Sequence, residues 1–162
     1  MTRGRRSRGW LVALALMAAT VAGCARSVDA TTTPPPLRLG EDVCTRSGMI
    51  ISNPAYAAAY WTRGGEVRPF DDIGSMILHH REHHEDVAAF WVHDLQTREW
   101  VRADRAAFLV SPYLRTPMGF GVAALASEEE ARAQAARLGG RVLTFEQLLD
   151  YPYLREGGHG GH

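Results

Sequence analysis

Two sulfur-bearing side chains lie close together in the sequence, near the start of the predicted domain of this 162-residue chain. Cys44 and Met49 enclose the short segment Thr-Arg-Ser-Gly. A thiolate and a thioether are soft donors, which bind Cu(I) in preference to ions that favour oxygen. The pair is therefore a candidate Cu(I) site, and a buried structural cysteine beside a core methionine is the alternative interpretation.

A third sulfur lies in a loop-forming segment, Arg-Thr-Pro-Met-Gly-Phe-Gly, at residues 115–121. Pro117 and Gly119 flank Met118, so the backbone is constrained on one side and open to close approach on the other. A methionine held this way is less readily explained as core filling than one on a helix. Met118 is a candidate donor, with loop packing as the alternative.

Four histidines form a cluster within six positions: His79, His80, His83 and His84. On a helix they make two i,i+4 pairs, each able to chelate a divalent ion, and Met76 lies one turn before His80. We predict these five residues as secondary metal candidates. The alternative is a solvated helix end, where the helix dipole favours positive charge.

The elements that must position these residues alternate along the chain. Asp71 or Asp72 can cap a helix that carries the histidines, and Ser127 with Glu130 has the pattern of a capping box for a second helix. The alternation predicts an α+β fold of two similar halves, each with a small antiparallel sheet and one helix. Predicted strands cover residues 49–51, 57–62, 66–70, 87–93, 100–103, 107–110, 120–125 and 141–145.

The N-terminus has the pattern of a secretory signal. An arginine-rich start is followed by an apolar stretch over residues 10–22. The motif Val-Ala-Gly-Cys at residues 21–24 resembles the bacterial lipobox. We predict a cleaved lipoprotein signal at 1–23, a lipid on Cys24 and a flexible Pro/Thr-rich tether over 24–40. An ordinary signal peptide, or a membrane anchor with a chance cysteine, is the alternative. With Cys24 lipidated, Cys44 is the remaining thiol and cannot form a disulfide within the chain.

These assignments leave a domain at residues 41–152, with halves at about 41–93 and 94–152, and a flexible Gly/His tail at 153–162. The lipid would anchor the protein outside the cytoplasm, on the outer face of the cell membrane or the periplasmic side.

Eighteen basic and eighteen acidic residues balance, so nothing favours a nucleic-acid partner. No phosphate-binding loop, nucleophile elbow or zinc-protease motif is present, so the sequence does not predict an enzyme.

The motifs in their order resemble the NosL family, the accessory lipoproteins of nitrous oxide reductase. That order is the lipobox, Cys44-x-x-Ser47-Gly48-Met49, Phe70-Asp71-Asp72, Trp91-Val92-x-Asp94, Trp100-Val101-x-Ala103 and Thr116-Pro117-Met118-Gly119. The resemblance implies a Cu(I)-binding lipoprotein that supplies the copper–sulfide centre of nitrous oxide reductase. It also implies two similar α+β halves, and it makes Cys44, Met49 and Met118 the best candidates for the metal ligands.

One position departs from the family pattern. Many members carry a second cysteine where this chain has Ser47, and a hydroxyl is a poor Cu(I) donor. Cys44 is then the anionic ligand, completed by methionines or a histidine. The alternative is a divergent member of the family that has lost or changed its metal. The predicted function is a membrane-anchored Cu(I) chaperone whose partners are nitrous oxide reductase and its maturation machinery. A general metal-buffering lipoprotein that uses the histidines, or a lyase-like enzyme that uses Cys44, are the alternatives.

Overall fold

The computed structural model describes residues 28–152 and residue 154. The predicted signal at 1–23, the lipidation site Cys24 and nearly all of the predicted tail lie outside the described residues. Within the described part of the chain, no helix combines the length and the apolar character needed to cross a membrane.

The fold contains two small antiparallel sheets and three α-helices among the described residues, which confirms the α+β class. The elements are β1 (Ala58–Thr62), β2 (Val67–Phe70), α1 (Ile73–His83), β3 (Val87–His93), β4 (Trp100–Arg102), β5 (Ala107–Val110), β6 (Val122–Leu125), α2 (Glu128–Leu138), β7 (Arg141–Leu143) and α3 (Phe145–Leu149). The first sheet has the order β2-β1-β3-β4 and the second β6-β5-β7.

Alternation along the strands places side chains on two faces of each sheet. In β1, Tyr60 faces the main core with α1, whereas Trp61 faces the opposite side. In β5, Phe108 joins the same main core, and its neighbour Leu109 packs in a second cluster beneath α2. The second sheet therefore lies between the shared core and α2, and the shared core joins the two sheets.

The similarity of the two halves is partial. Strand β4 pairs with β3, so the first sheet extends past the predicted boundary near residue 93. The predicted final strand at 141–145 ends at Leu143, and the short helix α3 follows it. The second half therefore carries two helices instead of the predicted one. The predicted strand at 49–51 is reduced to an isolated bridge between Ile50 and Val43.

The predicted tether is folded over part of its length. The indole N–H of Trp61 donates to the Thr33 carbonyl at 3.0 Å, and that of Trp91 donates to the Ala30 carbonyl at 3.0 Å. The guanidinium of Arg102 donates to the Thr31 carbonyl at 2.9 Å. Residues 30–33 therefore form a strap on the outer face of the first sheet. The prediction of a flexible tether over 24–40 is wrong for them, because their carbonyls accept hydrogen bonds from side chains of the sheet.

Candidate metal centre

The segment that contains the first two sulfurs is a tight turn. Cys44 N–H donates to the Met49 carbonyl at 2.8 Å, and Gly48 N–H donates to the Cys44 carbonyl at 3.0 Å. Gly48 has φ = 72°, a backbone conformation that glycine adopts without steric cost. The bridge between Val43 and Ile50 closes the base of the turn. The turn thus brings the backbones of the two sulfur residues into direct contact.

The two side chains differ in their access to solvent. Cys44 is only 2% exposed, and its Sγ accepts the N–H of Ser47 at 3.4 Å. Met49 is 52% exposed. The turn therefore presents a buried thiol beside a thioether that a partner or an ion can reach from outside.

Two hydrogen bonds attach this turn to the end of β2, and a third lies within the turn. Thr45 N–H donates to the Pro69 carbonyl at 2.8 Å. The Ser47 hydroxyl donates to Asp71 Oδ2 at 3.1 Å and accepts the N–H of Met49 at 3.3 Å. The turn is consequently held at the point where the chain leaves the sheet and enters α1.

Asp72 connects α1 to the loop that carries the third sulfur. It is the N-cap of α1, and its Oδ1 accepts the Gly74 N–H at 2.8 Å. Its Oδ2 accepts the N–H of Met118 at 3.0 Å, across 46 positions of sequence. Burial raises the pKa of Asp72, while hydrogen bonds from Thr116, Met118 and Gly74 act in the opposite direction.

The loop over residues 116–121 is fixed by its own contacts as well. Thr116 Oγ1 accepts the Gly121 N–H at 3.2 Å, and Gly121 has φ = 66°. A Cβ at Gly121 would lie 2.3 Å from the Ser111 carbonyl oxygen, so this backbone approach requires glycine. The ring of Phe120 lies against Gly74 of α1, where a Cβ would meet the ring at 2.3 Å. Glycine at position 74 therefore allows the loop to pack closely on α1.

Two neighbouring carboxylates thus gather the three predicted ligands at one end of α1. Asp71 binds the turn that holds Cys44 and Met49, and Asp72 binds the backbone of Met118. Met118 is 38% exposed, so it resembles Met49 in presenting its thioether to solvent. A thiol and two thioethers are the donor types that a soft cation prefers.

Asp71 has an unusual environment for a carboxylate. It is 3% exposed, and among the described residues its Oδ1 has no hydrogen-bond partner. Residues 28–152 and 154 contain no group of three or more His, Cys, Asp and Glu side chains arranged to hold a metal ion.

The secondary metal candidates lie elsewhere on α1. Met76 is fully buried in the main core. The histidines of α1 lie seven to eleven residues after Asp72, which places them about 10–16 Å further along the helix axis. Arg46 of the sulfur-bearing turn reaches this part of α1, where it pairs with Glu82 at 2.6 Å.

The histidines make contacts within the fold. His79 stacks on His83 with 3.9 Å between ring centroids, and His80 lies edge-on to Phe90 at 5.0 Å. His84 is the C-cap of α1 in the left-handed conformation, so it does not continue the helical stripe with His80. Burial lowers the pKa of both His79 and His80. Metal binding by this cluster remains a prediction.

Sequence reasoning missed two residues of the site. It treated Asp71 only as a possible helix cap, and Ser47 only as the absence of a second thiolate. A local pattern in the sequence could have indicated Asp71. Two consecutive acidic residues lie between a strand and a helix, and only one of them is needed to cap the helix, so the other is free to bind elsewhere. The partner of that free carboxylate, Ser47, lies 24 positions away and could not be identified from spacing.

Comparison with known proteins agrees with the motif resemblance. The sequence model of the NosL family matches residues 38–151. The chain is 29% identical over 172 aligned positions to the copper-binding lipoprotein NosL of Stutzerimonas stutzeri, covering 97% of this chain and 89% of that protein.

A solved structure shares the fold. The crystal structure of the copper chaperone NosL from Shewanella denitrificans aligns with a TM-score of 0.61 at 19% identity, covering 70% of this chain and 96% of that one. These relatives are named as a copper-binding lipoprotein and a copper chaperone, and neither is named as an enzyme. The family match spans the whole region that forms the sheets, the helices and the sulfur-bearing loops, and the chain belongs to the NosL family.

Proposed function

We propose that this chain is a membrane-anchored Cu(I) chaperone that delivers copper for assembly of the copper centre of nitrous oxide reductase. The observation that supports this most is the joining of the 44–49 turn and the Met118 loop through Asp71 and Asp72. Membership of a family whose named relatives bind or carry copper supports it independently.

The proposed ligands have distinct roles. Cys44 supplies the thiolate and the only negative charge among the three donors, while Met49 and Met118 supply neutral thioethers. Because both methionines are half-exposed, an incoming ligand from a partner can displace them before it reaches the buried sulfur. Copper can then leave through exchange of ligands without exposure of the free ion to water.

The surface beside the site suits such an exchange. Val43 and Ile50, at the base of the turn, are 50% and 58% exposed, and Leu39 is 44% exposed. Apolar side chains at this edge favour a dry contact with a partner. Exclusion of water would protect both Cu(I) and the thiolate during transfer.

The proposed anchor limits where the domain can lie. Only five residues separate the predicted lipid on Cys24 from the strap residue Ala30. An extended chain spans at most about 3.6 Å per residue, so the outer face of the first sheet would stay within about 20 Å of the membrane surface. The protein would act on the extracytoplasmic side, close to the bilayer.

An anaerobic Cu(I) titration against a competing chelator tests the binding proposal. We expect one tight site per chain, which is lost in Cys44→Ser and weakened in Met118→Leu. Met76→Leu is the matched control, because it makes the same change in a buried core methionine and should bind copper like the parent. Parental affinity in Cys44→Ser would refute the ligand assignment.

Delivery requires a separate test. The Cu(I)-loaded protein is mixed with copper-free nitrous oxide reductase, and formation of the copper centre is followed by its absorption and by enzyme activity. The loaded parent should restore the centre faster than an equal amount of Cu(I) bound to the chelator, and Cys44→Ser should not. Equal rates for the parent and the chelator would leave copper binding intact but contradict the role in delivery.

The buffering alternative has its own readout. Replacement of His79, His80, His83 and His84 by glutamine should leave the Cu(I) titration unchanged if the sulfur site is the functional one. A large loss of Zn²⁺ or Cu²⁺ capacity in this variant, with no transfer of copper to the reductase by the parent, would favour the buffer instead.

A further inference from the structure

We infer that Ser47 is a positioning residue of the metal site: its hydroxyl, held by Asp71, fixes the turn in which Cys44 and Met49 face the same ion. This inference rests on the proposed function, because it concerns how the proposed ligands are placed. It assigns a role to the position at which this chain departs from the two-cysteine pattern.

Ser47 lies at the centre of the hydrogen bonds within the turn. Its N–H donates to Cys44 Sγ at 3.4 Å, and its hydroxyl oxygen accepts the Met49 N–H at 3.3 Å. One residue thus contacts the sulfur of one proposed ligand and the backbone of the other. A change at this position alters both ligands together.

The direction of the third bond follows from the chemistry of a hydroxyl. A serine hydroxyl has one proton to donate and two lone pairs to accept with. Because Oγ already accepts from the Met49 N–H, its proton is free to be directed at Asp71 Oδ2, which lies 3.1 Å away. A cysteine thiol is a weak donor and a weak acceptor, so it would not hold this arrangement.

Asp71 gives the turn a rigid point of attachment. It follows β2 directly and precedes the N-cap residue Asp72, so its backbone is fixed by the sheet on one side and by α1 on the other. Its side chain is 97% buried, and within the described chain Ser47 is the hydrogen-bond partner of Oδ2, while Oδ1 has none. The hydrogen bond from Ser47 therefore joins the turn to a side chain that the fold holds in place.

Two variants separate this role from general structural support. Ser47→Ala removes the hydroxyl and should weaken Cu(I) binding by about tenfold, the loss expected from one net hydrogen bond. Ser47→Thr keeps the hydroxyl and should restore the affinity to within about threefold of the parent. Ser52→Ala is the matched control, since Ser52 is an exposed serine just beyond the turn.

A copper-free measurement tests positioning directly. The alkylation rate of Cys44 in the full chain, in detergent and followed by mass spectrometry of the Cys44 peptide, reports how often the turn opens. Ser47→Ala and Asp71→Asn should each increase this rate several-fold, and Ser47→Thr and Ser52→Ala should not. The melting temperature of each copper-free variant shows whether that variant is folded. If Ser47→Ala is unfolded, Ser47→Thr is compared with the parent instead.

The outcomes distinguish this inference from the proposed function. Parental alkylation and affinity in Ser47→Ala would overturn the positioning role, even if Cys44→Ser still abolishes Cu(I) binding. A lower melting temperature in Ser47→Ala without any change in alkylation or affinity would also overturn it. If the parent binds no Cu(I) and yet the alkylation rates change as expected, the proposed function fails and the positioning of Cys44 stands.

Discussion

Replacing Asp72 with alanine should loosen the fold and the metal site together. The carboxylate caps α1 through Gly74 and binds the backbone N–H of Met118, so a single side chain connects the helix to the third sulfur. Asp72 is fully buried, so both N–H groups would lose their acceptor away from bulk water. The same substitution should therefore reduce stability and displace Met118.

The size of the stability loss follows from these two bonds. Loss of an N-cap costs about 1 kcal/mol, and loss of a hydrogen bond to a charged group costs about 1.5–3 kcal/mol. We expect the free energy of unfolding to fall by about 3 kcal/mol, or about 10 °C in melting temperature for a domain of this size. Urea unfolding followed by circular dichroism measures it. Asp86→Ala is the control, because that exposed ion pair with Arg63 should contribute less than about 1 kcal/mol.

The effect on copper is testable through a double-mutant cycle. If Asp72 acts on the metal site by holding Met118, Asp72→Ala should weaken Cu(I) binding in the parent but have little further effect in Met118→Leu. A stability loss below about 1 kcal/mol would refute the structural reasoning. Full additivity of the two affinity losses would refute the proposed connection between Asp72 and Met118.

Three further predictions concern the scaffold. Arg81→Lys should cost about 2 kcal/mol in urea unfolding, because the guanidinium donates to four carbonyls at and beyond the end of α3, at 2.7–3.1 Å; an unchanged midpoint would contradict this. Burial lowers the pKa of His93, so the unfolded chain takes up a proton first and stability should fall as pH drops from 7.5 to 5.5; His93→Asn should flatten this slope, and an equal slope in both proteins would refute the assignment. Trp91→Phe removes the indole donor to Ala30 and should speed limited proteolysis of the strap, whereas a parental cleavage rate would show that the strap is held by other contacts.

Local sequence patterns were sufficient for much of the scaffold. Ser127 caps α2 as predicted and accepts the Glu130 N–H, because a capping signal depends on residues within one turn. The missed helix α3 carries a similar signal, since Thr144 and Gln147 form a reciprocal capping box. With only five residues, α3 was too short for its apolar period to show.

The strap and the arrangement of the metal site depend on contacts that sequence patterns do not encode. The Pro/Thr-rich segment looks like a linker by composition, and only the distant indoles of Trp61 and Trp91 reveal that it is packed. The donor types at Cys44 and Met118 could be named in advance. The burial of the thiol and the 46-residue connection from Met118 to Asp72 could not, because both arise from tertiary packing.

X-ray absorption at the copper edge of the Cu(I)-loaded full-length protein is the most direct test of the ligand assignment. Sulfur and the light atoms of imidazole or carboxylate scatter differently, so the spectrum reports which side chains bind the ion. We predict that only sulfur atoms surround the copper ion in the parent. Met118→Leu should have one sulfur ligand fewer, and Cys44→Ser should give no spectrum of sulfur-bound copper. A shell dominated by nitrogen or oxygen, or an unchanged spectrum in Cys44→Ser, would contradict copper binding by the sulfur residues at the start of α1.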